Sequence, residues 1–249
     1  MAACGDPADA RQATDQLRVN QRLAETCPDG QELAAFVGTD LSGTGRDPSI
    51  ATRRATVIED IVRRVAVCSG RLRVVAFSAS SAASLPVFDG ELRPPGATQI
   101  ARLRKVPDLV ESTVPTIVAA LEAAAEALPA DGSDITAQFG AAAEFIGQLD
   151  SAGAGAHRLD VTLLTDGVQT SGVTLNTAEL TVAVAQELAS RLPAPTLPAG
   201  SAVTIAGIGR VAGPPPPTTY VDALKAFYDA YCRRTAAACT VVTDHVTGS

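Results

Sequence analysis

Apolar residues along this chain alternate between strand-like and helix-like patterns. Short continuous runs stand at 32–39 (ELAAFVGT), 71–77 (RLRVVAF), 158–165 (RLDVTLLT), 201–209 (SAVTIAGIG) and 239–243 (CTVVT). Their length and branched-aliphatic content predict strands buried on both faces, as in a parallel sheet. Between the first two runs, Ile50, Val57, Ile58, Ile61, Val62 and Val65 recur at helical spacing with arginines among them, which predicts a helix over 50–67. Similar patterns predict helices over 108–128, interrupted at Pro115, over 136–149, over 176–192 with Asn176 as its cap, and over 219–233. Residues 78–90 (SASSAASLP and VFDG) read as a hairpin connection to a third strand, and 6–26 as a polar helix or spacer.

Strand and helix thus alternate nearly throughout. This predicts an α/β fold: a doubly wound, mostly parallel six-stranded sheet flanked by helices, Rossmann-like in plan. The expected organisation is an N-terminal helix or spacer over 1–30, one domain over 31–245 and a short tail over 246–249. No internal repeat is visible.

Composition narrows the picture. Hydrophobic residues make up 46% of the 249 positions and charged residues 19%, enough apolar material for a real core. Aromatics are only 4% and Trp is absent, so that core must be built from Ala, Val, Leu and Ile. The net charge of -7, with no long basic run, disfavours nucleic acid or an anionic membrane surface as a partner. No apolar stretch approaches the ~20 residues that span a bilayer.

In a doubly wound sheet, ligands bind beyond the carboxyl ends of the strands, where strand order reverses. Three polar loops fall on that rim: Asp40-Leu41-Ser42-Gly43-Thr44 after the first strand, Gly132-Ser133-Asp134-Ile135-Thr136 before a helix, and Thr165-Asp166-Gly167 after the fourth strand. Other chemistry fits poorly. Ser42 is not in a Gly-x-Ser-x-Gly elbow, and His157 precedes a strand while His245 lies in the C-terminal tail, so a serine hydrolase is disfavoured. Gly153-Ala154-Gly155 precedes a strand instead of following one, unlike a phosphate-binding loop. Glu59-Asp60 and Asp131/Asp134 read as a solvated helix face and a cap. The plainest alternative for Asp40 and Asp166 themselves is that they cap helices and stabilise turns.

The three loops, in this order within the alternation, resemble the metal-ion-dependent adhesion site of von Willebrand factor A domains, over about residues 31–245. The Ile205-Ala206-Gly207-Ile208-Gly209 segment resembles that family's fifth strand. The resemblance implies that Asp40, Ser42 and Thr44 bind a divalent metal, Asp40 directly or through water, and that Ser133 and Asp166 complete the set. Thr44 stands where serine is usual and Ser133 where threonine is usual, and both keep the hydroxyl. Thr136 is an alternative to Ser133 as the ligand from the second loop. Oxygen-only ligands suit Mg2+ best, with Mn2+ or Ca2+ also compatible. The implied role is binding a protein partner whose acidic residue completes the metal site, not enzymatic catalysis. The competing expectations are a metal-dependent hydrolase or phosphoesterase on the same rim and a metal-free scaffold.

Ala2-Ala3-Cys4-Gly5 resembles the end of a bacterial lipoprotein signal, which would place a lipid on Cys4 and the chain outside the cytoplasm. The remaining Cys27, Cys68, Cys232 and Cys239 form an even set without a zinc pattern. Topology places Cys27 and Cys68 together at the bottom of the sheet, and likewise Cys232 and Cys239, which predicts the bridges Cys27–Cys68 and Cys232–Cys239.

Overall fold

The computed structural model describes residues 7–80, 83–153, 155–177 and 179–244. Cys4, His245 and the tail over 246–249 lie outside the described residues. The elements are α1 (Pro7–Ala24), β1 (Glu32–Asp40), α2 (Pro48–Val67), β2 (Arg71–Phe77), β3 (Ser84–Glu91), α3 (Gln99–Leu103), α4 (Val106–Ala127), α5 (Ala137–Ser151), β4 (His157–Leu164), α6 (Val182–Arg191), β5 (Ala202–Ala206), α7 (Thr218–Arg233) and β6 (Ala238–Val242).

The six strands form one sheet in the order β3-β2-β1-β4-β5-β6. All neighbours are parallel except β2 and β3, which pair antiparallel. The sheet is therefore doubly wound and mostly parallel, as the alternation predicts. Strand order reverses between β1 and β4, and this switch point opens a crevice at their carboxyl ends. Asp40 is the last residue of β1, and Asp166 lies two residues beyond the end of β4.

Successive side chains of a strand point to opposite faces, so the sheet sorts its apolar residues into two layers. Leu33, Ala35 and Val37 of β1, with Leu72 and Val74 of β2, face α2 and α4. Ala34 and Phe36, with Leu159, Val161 and Leu163 of β4, face α5, α6 and α7. Burial of each large side chain contributes about 1.5–3 kcal/mol, which makes central β1 the fixed axis of the fold. α1 leans on the first layer through Leu17, Leu23 and Ala24. The buried amide of Asn20 donates to the Leu103 carbonyl at 3.1 Å.

Several boundaries differ from the sequence reading. α4 runs unbroken through Pro115, which sits on the exposed side of the helix, where water can take the carbonyl its ring leaves unbonded. The segment read as a connection, 84–90, is largely the third strand itself. β5 ends at Ala206 because Gly207 adopts φ +102°, and a Cβ there would sit 2.7 Å from the Thr165 carbonyl oxygen. α6 starts at Val182, capped by the Thr181 hydroxyl and not by Asn176. The preceding leucines, Leu175 and Leu180, are instead buried in the loop and join the core.

Both bridges form as the topology predicts, Cys27–Cys68 and Cys232–Cys239. Structural disulfides of this kind belong to oxidising compartments. Among the described residues no helix is long and apolar enough to cross a membrane.

Candidate functional site

The site begins with the way β1 ends. Asp40 turns its carboxylate back over its own loop, where Oδ1 accepts from the Ser42 amide at 2.9 Å. The chain then enters a 3-10 turn, Gly43–Arg46, which brings Thr44 over the crevice. Gly45 makes that turn possible: a Cβ there would lie 2.1 Å from the Asp40 carbonyl oxygen and 2.9 Å from Arg54 Nη1. Arg54 reaches under the loop from α2, and its Nη1 donates to the carbonyl oxygens of Asp40 and of Gly45, the latter at 3.1 Å.

Ser133 arrives on the loop before α5. Its hydroxyl lies 2.9 and 3.1 Å from the two Asp40 carboxylate oxygens and 2.8 Å from the Ser42 hydroxyl. The third loop adds Thr165, whose hydroxyl donates to Asp40 Oδ2 at 2.7 Å and accepts from the Gly167 amide at 3.1 Å. Asp166 accepts from the Val168 amide at 2.9 Å through Oδ1 and from the Thr44 hydroxyl through Oδ2. Asp40, Ser42, Thr44, Ser133 and Asp166 are thus gathered at one place. All are buried except Thr44, which is half-buried and forms the open edge of the cluster.

Thr136 goes elsewhere. Its hydroxyl accepts from Gln169 Nε2 at 2.9 Å, outside the carboxylate cluster. Gln169 joins the second and third loops: its Oε1 accepts from the amides of Ile135 and Thr136, at 2.8 and 3.1 Å, and its Nε2 also donates to the Ser171 carbonyl at 2.6 Å. It thereby supplies acceptors at the start of α5, where the Thr136 side chain makes no capping bond. Tyr228 of α7 props the third loop by donating from its hydroxyl to the Gly167 carbonyl at 2.9 Å.

Charge is crowded here. Burial raises the Asp166 carboxyl above the ordinary range and the Asp40 charge adds to this, against the opposing effects of the Thr44 and Val168 hydrogen bonds and of Arg54. Burial also lowers the Arg54 guanidinium, while Asp40 and Asp166 act to raise it. Tyr228 is pushed well above a normal phenol by burial and then by the neighbouring carboxylates, so it stays neutral. Two buried acids therefore share one buried cation. Both acids also make local turns, as the turn-and-cap alternative holds. That alternative does not account for the bonds between loops, and α2 is capped by Asp47 instead.

Thr165, Arg54, Gln169 and Tyr228 are participants that the sequence reading did not single out as site residues. Thr165 had a usable signal, its place in Thr165-Asp166-Gly167. Arg54 reads as one of several arginines on a solvated helix face, and Gln169 carries no motif. Among the described residues no group of three or more His, Cys, Asp or Glu side chains is placed to hold a metal. The cluster consists of two carboxylates and hydroxyls.

No protein-family model matches the sequence, and a search of curated proteins finds no match. Among solved structures the chain is similar to proximal thread matrix protein 1 from the mussel byssus, at 14% identity and a TM-score of 0.39, over 83% of this chain and 47% of that one. A structure of the same mussel protein with a zinc-occupied MIDAS motif matches at 15% identity and a TM-score of 0.39, over 80% and 42%. The pilus adhesin SpaC from Lactobacillus rhamnosus GG, in an open conformation, matches at 10% identity and a TM-score of 0.44, over 89% and 29%. The chain spans less than half the length of each of these proteins.

Proposed function

We propose that this chain is an extracytoplasmic binding module of the von Willebrand factor A kind, which holds a protein partner through a divalent metal on the rim of its sheet. The observation that carries this reading is the convergence of Asp40, Ser42, Thr44, Ser133 and Asp166, from three separate loops, at the topological switch point, in two hydrogen-bonded oxygen groups, Asp40–Ser42–Ser133 and Thr44–Asp166. The likeness of those loops to a metal-ion-dependent adhesion site supports it further.

The donor set fits a hard dication, because carboxylate and hydroxyl oxygens are what Mg2+ takes. The crowding of two buried carboxylates is the electrostatic deficit that a dication would relieve. Asp40, Ser42 and Thr44 would hold the metal from the first loop, with Ser133 and Asp166 completing the set. When bound, the metal supplies a Lewis-acidic position for a carboxylate of the partner. The protein's own contribution is positional. Arg54 and Gly45 lock the first loop, Gln169 ties the second loop to the third, and Tyr228 supports the third. The two disulfides suit an oxidising compartment. A lipid on Cys4 would anchor the module to a bacterial envelope.

Isothermal titration with MgCl2 and MnCl2 tests the reading. Wild type is expected to bind, Asp40→Ala to give no heat, and Ser133→Ala to bind about tenfold or more weakly. Thr136→Ala, whose hydroxyl serves Gln169, is expected to match wild type. Equal heats from Asp40→Ala and wild type would overturn the reading.

A further inference from the structure

A cavity of about 160 Å³ opens beside the carboxylate cluster, beyond the ends of β4, β5 and β6 and against the first turns of α2. It is smaller than the ~300–1,000 Å³ of pockets that take drug-sized ligands, so it suits a small molecule or one side chain. Its walls carry Ile50, Val57, Leu164, Ala206 and Val211. Arg53, Arg54 and Arg210 line the same cavity, as does Asp244.

Acids meet these cations unevenly: Asp40 and Asp166 share the charge of Arg54 through space, with no direct ion pair to it among the described residues. Arg210 pairs with Asp244 at the cavity mouth. Arg53 has no hydrogen-bonded or ion-paired partner among the described residues. Arg54 is nine-tenths buried, and its Nη1 bonds go to main-chain carbonyls. Its other N–H groups have no partner among the described residues, and none of them is sealed away from solvent. The open N–H groups of Arg54, beside those of Arg53, remain free to meet a carboxylate, whose two oxygens match the planar fork of a guanidinium.

We infer that this cavity is a second ligand site, separate from the rim cluster, which takes a small organic carboxylate: its acid group on Arg53, Arg54 and Arg210, its short aliphatic part on Ile50, Val57 and Leu164. The inference does not rest on the metal reading. Arg54 touches both places, since the guanidinium that lines the cavity also holds the Asp40 and Gly45 carbonyls. An occupied cavity therefore stiffens the loop that carries Asp40, Ser42 and Thr44.

Sodium butyrate serves as the probe, titrated into 15N-labelled protein in the presence of a chelator at constant ionic strength, with inorganic phosphate and butylammonium in parallel. Butyrate is expected to shift the amide signals of Gly207, Val211 and Thr243 with a Kd on the order of 1 mM. Phosphate should bind more weakly, and butylammonium should leave these signals in place. The double variant Arg53→Gln/Arg210→Gln changes exposed side chains only, and its melting temperature checks the fold. It should weaken butyrate about tenfold or more while leaving the magnesium titration of the rim unchanged. Butyrate shifts that are absent, located elsewhere, or unaltered in the variant would overturn the inference. Phosphate binding as tightly as butyrate would overturn it too, since it would show a bare oxyanion site. A wild type that binds butyrate without binding magnesium would remove the metal reading and leave this one standing.

Discussion

The two ends of the sheet are held by opposite means. At the bottom, where the strands begin, covalent bonds do the holding: Cys27 joins the approach to β1 to the end of α2, and Cys232 joins α7 to the start of β6. A chain-entropy estimate gives about 4 kcal/mol for the bridge across a separation of 41 residues and about 2.5 kcal/mol for the one across 7. At the top, hydrogen bonds alone join Asp40, Ser42, Ser133 and Thr165 in one group and Thr44 to Asp166 in another, with buried like charges between them. The bottom is arranged for stability. The top carries electrostatic strain that only a ligand or the protein's own cation offsets, which is where function is expected to sit.

Three measurements would break or sharpen that contrast. The largest effect is expected from Cys27→Ser/Cys68→Ser, which should lower the free energy of unfolding in urea by about 4 kcal/mol, or prevent folding, without changing metal affinity where folded protein is recovered. A loss of metal affinity with an intact melt would show that the ends are coupled.

Arg54→Ala comes next. It should destabilise the chelated protein by about 3 kcal/mol, because Asp40 and Asp166 lose their buried counter-charge and two carbonyls lose a donor. Urea melts with and without magnesium check this, since the dication should restore part of the loss. A variant as stable as wild type in chelator would mean that the top is not charge-strained.

The smallest effect concerns pH. Asp166 keeps its proton to higher pH in the folded chain than in the unfolded one, because burial and the Asp40 charge oppose ionisation. The stability penalty is therefore absent below the unfolded value of about 3.9, grows as pH rises towards the folded value, and is full above it. Asp166→Asn should accordingly melt higher than wild type at pH 7 in chelator and equal to it near the unfolded value, and should lose the stabilisation by magnesium. A lower melting temperature at pH 7 in chelator would contradict the repulsion between the two acids.

The loops of the site were readable because polar residues at strand ends stand out against apolar runs: Asp40, Ser42, Thr44, Ser133 and Asp166 all break such a pattern. Arg54 was not readable, since an arginine among arginines on an amphipathic helix looks solvated until the helix is docked. The choice between Ser133 and Thr136 likewise stayed open in the sequence. Only two residues lie between them, and the direction of a loop before a helix is set by what it packs on, here Gln169 and Thr170.

The amino-acid sequence by itself determined the alternation of strand and helix, the strands that are buried on both faces, and the pairing of the cysteines. These follow from local periodicity and from the one end of the sheet that each connection must reach. The tertiary structure alone decided where helices start against buried leucines, which arginine becomes the counter-ion of two carboxylates, and which hydroxyls meet. The physical reason is that burial, desolvation and hydrogen bonds between loops depend on neighbours that are distant in the chain: 93 positions separate Ser133 from Asp40 and 122 separate Asp166 from Thr44.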